Sequence, residues 1–490
     1  AGNRAFGIDR GLPFPLSDVR ETGALLLLGS NVADTMPPLV QHLGGVRRRG
    51  GLVVVDPRES ATAALTGDDA GVHLQPLPGT DLVLLLGLLH LVIAAGAQDV
   101  DYLASRVDGF DDVARSVALW WPGRVAGVTG VPEPQLRRAA DLLIAASPHR
   151  GGPGAMVLTG RGAEQHVDGT DTVTAAINLA LALGLPGRRH SGYGCLTGQG
   201  NGQGGREHGQ KSDQLPGYRM IDDPAAREHV AGVWGVPPES LPGKGVPAVE
   251  LLHKLGGEVK ALFVHGANVV VSGPNAHRVE QGLRALDLLV VCDFVPSETA
   301  MLADVVLPVT QWAEEEGTMT SLEGRVIRRR KLVDRPAGVR SELEIWADLA
   351  DRLGAPGAWS TDPAEVFDEL ALASKGGRAD YSGLSHERLD GGEALHWPCP
   401  EGSSGTPRMF EREFVHPDGR ARMVVVQAAA PADDLREEAP TYLITGRVLA
   451  QYQSGAQTRR VATLERAAPE AFVELHQHLA TRLGIDDGEP

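Results

Sequence analysis

The 490 residues predict an α/β chain built from two doubly wound units in tandem. Three observations carry that prediction. Two continuous apolar runs, Leu25-Leu26-Leu27-Leu28 and Ala261-Leu262-Phe263-Val264, suit parallel strands buried on both faces rather than half-exposed strands. Each run passes into a glycine turn, Gly29-Ser30-Asn31 in one copy and Gly266-Ala267-Asn268 in the other. A further apolar strand then closes on an aspartate, Val53-Val54-Val55-Asp56 and Leu288-Leu289-Val290-Val291-Cys292-Asp293. The glycine-to-aspartate distance is the same 27 positions in both copies, from 29 to 56 and from 266 to 293. Glycine lets the backbone turn tightly and approach a ligand. An aspartate at a strand end can accept hydrogen bonds from ribose hydroxyls or a guanine edge. Both units are therefore read as Rossmann-like, with two nucleotide-bearing groups held face to face.

A chain of this length exceeds one ordinary core. Hydrophobic residues at 42% against 22% charged make it globular rather than disordered. The net charge of −17 argues against nucleic acid as a partner. Val46-Arg47-Arg48-Arg49 and Arg328-Arg329-Arg330-Lys331 are too short to reverse this, and suit solvated faces. No apolar stretch reaches the roughly 20 residues a membrane span needs, and 82–95, interrupted by His90, reads as a core helix. Cys195, Cys292 and Cys399 lie far apart without a Cys-x-x-Cys pair. That excludes a zinc ribbon or a complete cysteine-ligated iron–sulfur site within the chain, so no metal ligand is assigned here. Few cysteines and no signal peptide fit a reducing cytoplasm. The start at Ala1 and the turn over 484–490 suggest a piece of a longer protein.

Strands alternate with helical stretches over 22–150. His73-Leu74-Gln75-Pro76-Leu77-Pro78-Gly79-Thr80-Asp81 reads as a strand ending in a tight turn, with Asp81 opening the helix that follows. An Ala/Leu-rich helix is expected over 172–183, a glycine-dense loop over 192–217 and a helix over 342–353. Residues 355–440, rich in Gly, Pro and Asp, read as a connecting segment, and 441–446 as the first strand of a further domain. The expected boundaries are 1–205, 206–354, 355–440 and 441–490.

The sharpest local signal is the loop over 197–211, Thr-Gly-Gln-Gly-Asn-Gly-Gln-Gly-Gly-Arg-Glu-His-Gly-Gln-Lys. Flexible linkers are usually Gly/Ser and lack this many large polar groups. Close-set glycines let backbone amides approach an anion or a planar cofactor. Arg206 offers a planar fork for an oxyanion, and Lys211 a point charge.

Taken in order, Gly29-Ser30-Asn31, Asp56-Pro57-Arg58-Glu59-Ser60-Ala61-Thr62-Ala63, Pro78-Gly79-Thr80-Asp81, the loop over 197–211, Glu314-Glu315-Glu316-Gly317-Thr318 with Glu323-Gly324-Arg325, His396-Trp397-Pro398-Cys399-Pro400 and Thr445-Gly446-Arg447 with Ser454-Gly455 and Thr458-Arg459-Arg460 resemble the molybdopterin oxidoreductases. The resemblance spans essentially the whole chain. Gly-Gly-Arg-Glu in the glycine loop is similar to the nitrate reductases, most of all the assimilatory ones, and unlike the Asn-Val-Gln-Gly-Ala type of the formate dehydrogenases. The resemblance implies molybdenum held by two molybdopterin guanine dinucleotides. It places one on Gly29, Ser30, Asn31, Asp56, Arg58, Gly79 and Asp81. The other falls on Gly266, Asn268, Cys292 and Asp293, helped by Thr445, Gly446 and Arg447. Gln165 and His166 match a pair near the pterin, Gln199 and Asn201 belong to the cofactor-facing loop, and Arg206 becomes the catalytic residue. The family's [4Fe–4S] cluster and its cysteine ligand to molybdenum match nothing in this chain and would precede Ala1, so the chain alone is expected to be inactive. His476 and His478 read as the polar face of a helix leading into a C-terminal β-barrel of which 441–490 is the start. Nitrate would be the substrate, and an electron-donor protein or subunit the partner. The alternatives are a formate dehydrogenase of the same family and a non-catalytic scaffold subunit that retains the fold.

Overall fold

In the computed structural model, which describes residues 1–197, 199–429 and 434–489, strand β1 (Ala24–Leu28) is the centre of a five-stranded sheet. Its companions are β2 (Leu52–Val55), β3 (Gly71–Leu74), β4 (Ala155–Thr159) and β5 (Gly192–Cys195). Every pairing is parallel and the order is β3-β2-β1-β4-β5. Side chains alternate between two faces along a strand. Here both faces are buried, which is why the runs are continuously apolar. Leu26, Leu28, Val53, Val55 and Val157 enter one core, whereas Leu25, Leu27, Leu52, Val54 and Leu158 enter another. The first core is filled by helices α1 (Asp81–Ala94) and α2 (Gly169–Ala182), which are buried over most of their length.

The direction of strand order reverses at β1 and β4. An open parallel sheet leaves a crevice at such a point, at the carboxyl ends of its strands. Gly29 leaves β1 at φ +60°, and a Cβ there would sit 2.2 Å from the backbone nitrogen of Ala163, in the loop after β4. The glycine lets these two strand-end loops touch.

Two chain bodies are present. The first joins 1–251 to 309–445, and the second joins 252–308 to 446–490. The first therefore draws in 206–251 and 309–354, which the sequence boundaries group with the second repeat. The stretch over 192–217 is more ordered than a loop: it holds β5 and the short helix α3 (Gly202–Glu207). In the second body, β6 (Ala261–His265), β7 (Leu288–Asp293) and β8 (Val305–Pro308) form a three-stranded parallel sheet in the order β8-β7-β6. The chain is thus mixed α/β with parallel sheets. Helix α4 (Glu342–Leu353), in the first body, begins at a capping box of Ser341 and Glu344.

Two expectations are corrected. The expected connecting segment over 355–440 instead contributes to the first core through its described residues up to Val426, with Phe367, Tyr381, Trp397, Phe410 and Phe414 all buried in it. A few large aromatics supply the apolar area that composition alone does not show. No strand forms over 441–446, where Leu443 is 83% exposed. A strand persists only when a neighbour takes up its backbone groups, and no described residue does so there.

Arg10 ties the first body's beginning to its end. Its buried guanidinium donates to the carbonyls of Leu12 (3.2 Å), Trp397 (2.6 Å), Thr406 (2.7 Å) and Pro407 (2.6 Å). Burial lowers its pKa to about 9, against the opposing pull of Glu207 and Glu323. Among the described residues, no helix is long and apolar enough to cross a membrane.

Candidate active site

A cleft of about 390 Å³ opens within the first body, at the carboxyl ends of β4 and β5. The loop after β4 supplies Glu164, β5 supplies Tyr193 and Cys195, α3 supplies Arg206, and the N-terminal segment supplies Asp9. Arg206 is thus in the cleft wall, but its fork is not free. Nη1 donates to Asp9 Oδ2 at 2.5 Å and Nε to the Gly202 carbonyl at 3.2 Å. The amide oxygen of Gln203, oriented by its donors, accepts from Nη2 at 2.7 Å and from the Gly11 amide at 3.1 Å. Each Nη carries two hydrogens, so one on each remains for a further acceptor. Burial works against the charge, yet Asp9 holds the guanidinium pKa above its ordinary value. Lys211 is exposed, its ammonium 5.7 Å from the centre of the Tyr218 ring, and partial desolvation lowers its pKa.

Behind Arg206 the chain turns inward. Glu207 is fully buried, and its Oε2 accepts from the hydroxyls of Tyr381 and Thr320, the latter at 3.1 Å. Its Oε1 has no partner among the described residues. Burial pushes this carboxyl up to about 8, although Tyr381, Thr320, Arg206 and Arg10 all pull it down. On the cleft's other wall, Glu164 Oε1 accepts from the Cys195 thiol at 3.0 Å and the Thr159 hydroxyl at 2.8 Å. Thr159 in turn meets the Tyr193 hydroxyl at 2.8 Å. Burial raises the thiol's pKa strongly, and the neighbouring Glu164 adds to this, so Cys195 is held as an inert thiol.

Within the glycine loop, Asn201 adopts φ +58°, and its Oδ1 accepts from the Thr320 amide at 2.9 Å. That acceptor bond ties the glycine loop to the strand containing Thr320. Gln199 is exposed and lines the cleft, while Gly198 lies outside the described residues. Gln165 and His166 are exposed beyond the same β4 loop.

In the first repeat, Ser30 is buried beside Gly29, and Asp56 Oδ1 accepts from the Arg58 amide at 3.0 Å. Asp81 is buried in the first turn of α1. Burial raises its carboxyl to about 6, with His166 opposing and Asp168 and Asp56 assisting. A Cβ on Gly79, at φ +79°, would meet nothing within 4 Å, so the turn before Asp81 is open.

In the second repeat, Gly266 also turns at φ +56° into open space. Asp293 is buried, accepting from the Phe294 amide (2.9 Å) and the Ser297 hydroxyl (2.7 Å). Cys292 is fully buried within β7. Thr445, Gly446 and Arg447 are exposed and lie outside regular structure.

Sequence reasoning missed Asp9, Glu164, Glu207 and Tyr381. Glu207 stands in the quoted Gly-Gly-Arg-Glu run, so a signal existed. Asp9 and Tyr381 lie 197 and 174 positions from their partners and left none.

The molybdopterin oxidoreductase family model matches residues 7–352, and the molybdopterin dinucleotide-binding domain model matches 441–490. The assimilatory nitrate reductase catalytic subunit of Bacillus subtilis is 41% identical, over 99% of this chain and 68% of its own length. The F420-dependent formate dehydrogenase 1 subunit alpha of Methanococcus maripaludis is 32% identical, over 96% of this chain and 67% of its own. Formate dehydrogenase H of Escherichia coli is 31% identical, over 96% and 65%. The chain thus spans about two thirds of the length of these relatives. Among solved structures, acetylene hydratase from Pelobacter acetylenicus superposes with a TM-score of 0.65 at 18% identity, covering 97% of this chain and 69% of that one, and so shares the fold. On the family match and the 41% identity, the chain belongs to the molybdopterin oxidoreductases, enzymes that carry molybdenum on two molybdopterin guanine dinucleotides.

Proposed function

We propose that this chain is the central part of an assimilatory-type nitrate reductase, which converts nitrate to nitrite. The observation that carries the reading is Arg206 in the cleft wall, in a glycine loop of a chain 41% identical to a nitrate reductase catalytic subunit. The residues present fit the cofactor. Asp81 is a buried carboxyl that no other side chain donates to among the described residues, beside an open glycine turn. A guanine edge offers two adjacent N–H groups to such an acceptor.

When bound, molybdenum supplies two-electron oxygen-atom transfer. The protein's part is electrostatic and geometric. Arg206, oriented by Asp9, Gly202 and Gln203, holds the anion, and Glu164 and Tyr193 line the opposite wall. Electrons would come from a donor protein or subunit through a [4Fe–4S] cluster held outside this chain. Three cysteines free of disulfides agree with a cytoplasmic location.

The test is an assay of the complete enzyme with reduced viologen and nitrate, where nitrite is expected. The formate dehydrogenases at 31–32% identity favour the second reading, and formate oxidation without nitrite production would establish it instead.

Asp81→Asn tests the first nucleotide site. The change replaces a double acceptor by one donor and one acceptor, so guanine released per protein is expected to fall. In the unchanged protein, cofactor affinity should weaken as pH drops below about 6, where Asp81 takes up a proton and loses one acceptor face. Normal guanine content in the variant would remove Asp81 from the site.

A further inference from the structure

The two nucleotide-binding halves share more than a glycine and an aspartate. After Asp56 the chain continues Pro57-Arg58-Glu59-Ser60-Ala61-Thr62-Ala63, and after Asp293 it continues Phe294-Val295-Pro296-Ser297-Glu298-Thr299-Ala300. Both read Asp-x-x-x-Ser-x-Thr-Ala. The asparagine after each glycine turn lies 31 positions before its threonine, from 31 to 62 and from 268 to 299.

The structure joins these residues identically in the two halves. Asn31 Oδ1 accepts from the Thr62 amide at 3.2 Å and the Thr62 hydroxyl at 2.8 Å. Asn268 Oδ1 accepts from the Thr299 amide at 3.2 Å and the Thr299 hydroxyl at 2.9 Å. Each threonine oxygen also accepts from the asparagine's own loop, from the Ala33 amide at 2.9 Å and the Val270 amide at 3.2 Å. The serine two positions earlier closes the turn, its hydroxyl accepting from Ala63 and Ala300 at 3.3 Å in both. Even the amide nitrogens are used, Asn31 Nδ2 donating to Asp34 (2.7 Å) and Asn268 Nδ2 to Glu298 (2.6 Å). An asparagine whose oxygen holds two donors and whose nitrogen holds a carboxylate has little left for a ligand.

We propose that Asn31 and Asn268 are positioning residues rather than cofactor contacts. Each clasps the loop that carries Asp56 or Asp293 to the neighbouring glycine turn, and Thr62 and Thr299 are the other half of each clasp. The inference rests on the placement of the two dinucleotides at these strand ends. Without the clasp, the loop samples other conformations, and binding has to repay their entropy, so affinity falls with the fraction of loops correctly placed. The arrangement occurs once per nucleotide half, which is what a device serving the nucleotide requires and a chance surface turn does not.

A double-mutant cycle on the complete enzyme tests this. Asn31→Ala, Thr62→Val and the pair would be prepared as apoenzyme, loaded with cofactor over a range of concentrations and analysed for guanine released by acid. Each single change is expected to weaken loading about 10-fold: Asn31→Ala removes both bonds across the clasp, and Thr62→Val removes the hydroxyl that donates to Asn31 and accepts from Ala33, leaving only the backbone amide of residue 62. The pair should be no weaker than the worse single variant, because the clasp can be lost only once. Thr62→Ser, which keeps the hydroxyl, should load normally, and this separates loss of the clasp from failure to fold. The Asn268 and Thr299 set should behave alike. Normal loading by Thr62→Val alongside weak loading by Asn31→Ala would make Asn31 a direct contact and overturn the proposal. Effects that multiply to about 100-fold in the pair would also overturn it. An Asp56→Asn control that loads normally would instead displace the nucleotide from this strand end altogether.

Discussion

Arg206→Lys in the complete enzyme is expected to lower kcat/KM for nitrate by about 10-fold or more, equivalent to about 1.4 kcal/mol of transition-state stabilisation, with molybdenum content unchanged. The expectation follows from how the guanidinium is held. Asp9, the Gly202 carbonyl and Gln203 occupy one hydrogen on each of its three nitrogens. One hydrogen on each of Nη1 and Nη2 remains, held in the guanidinium plane, for the oxygens of a planar anion. A lysine ammonium has three donors and no plane. It can keep the pairing with Asp9 or turn toward the anion, and cannot hold both in the arginine's geometry. Steady-state kinetics with molybdenum analysis check this. Full activity in the lysine variant, or failure to bind cofactor, would make Arg206 a structural residue.

Glu207→Gln should abolish a pH dependence of stability that the unchanged protein shows. The carboxyl is raised from 4.5 to about 8, chiefly by burial. Between those values the folded state keeps a proton that the unfolded state has released. Stability is therefore complete below about 4.5 and is lost as pH rises toward 8, by up to about 1.4 kcal/mol per pH unit. The groups facing Glu207 are Tyr381, Thr320, Arg10 and Arg206, and the two hydroxyls can donate to a glutamine oxygen equally well. The glutamine variant should thus match the unchanged protein near pH 5 and exceed it near pH 8.5 in urea unfolding of the same chain. Parallel stability curves across that range would show that Glu207 is ionised throughout.

Both predictions concern one short helix, and the sequence revealed only half of it. Arg206 was legible because glycines and a cation stand together locally. The burial of Glu207 was not, because its ceiling is Tyr381, from a stretch whose composition suggests a linker. The parallel strands of the first sheet were legible for the opposite reason: burial on both faces writes an uninterrupted apolar run. Strand β6 is equally apolar but leaves Ala261 and Phe263 exposed, against the expectation that it too is buried on both faces. Helix α4 lies where the sequence placed a helix, over 342–353. The clasp residues lay in plain view as a second Asp-x-x-x-Ser-x-Thr-Ala, but a repeat read for ligand contacts favours the asparagine as a ligand. Only the distances show its amide turned to Thr62 and Thr299. Residues 441–446 carry a strand's composition without a strand's neighbours, and pairing is a property of two segments rather than one.

The four carbonyls around Arg10 bear on how the chain is made. Three of them belong to residues 397–407, which leave the ribosome nearly 400 residues after the arginine they enclose. The five strands of the first sheet are all synthesised by residue 195, yet the core they share with Tyr381 and Trp397 stays unfinished until then. In between, 252–308 is translated, a stretch that belongs to the second body and forms its own parallel sheet there. The first body thus waits, with a half-covered apolar surface and an unclosed guanidinium, while an intervening unit is translated. Contacts so distant in sequence close late and slowly, and the interval is when such a nascent chain is most open to aggregation. Arg10 works as a latch on vectorial synthesis: it shuts only when the last segment of the first body has arrived.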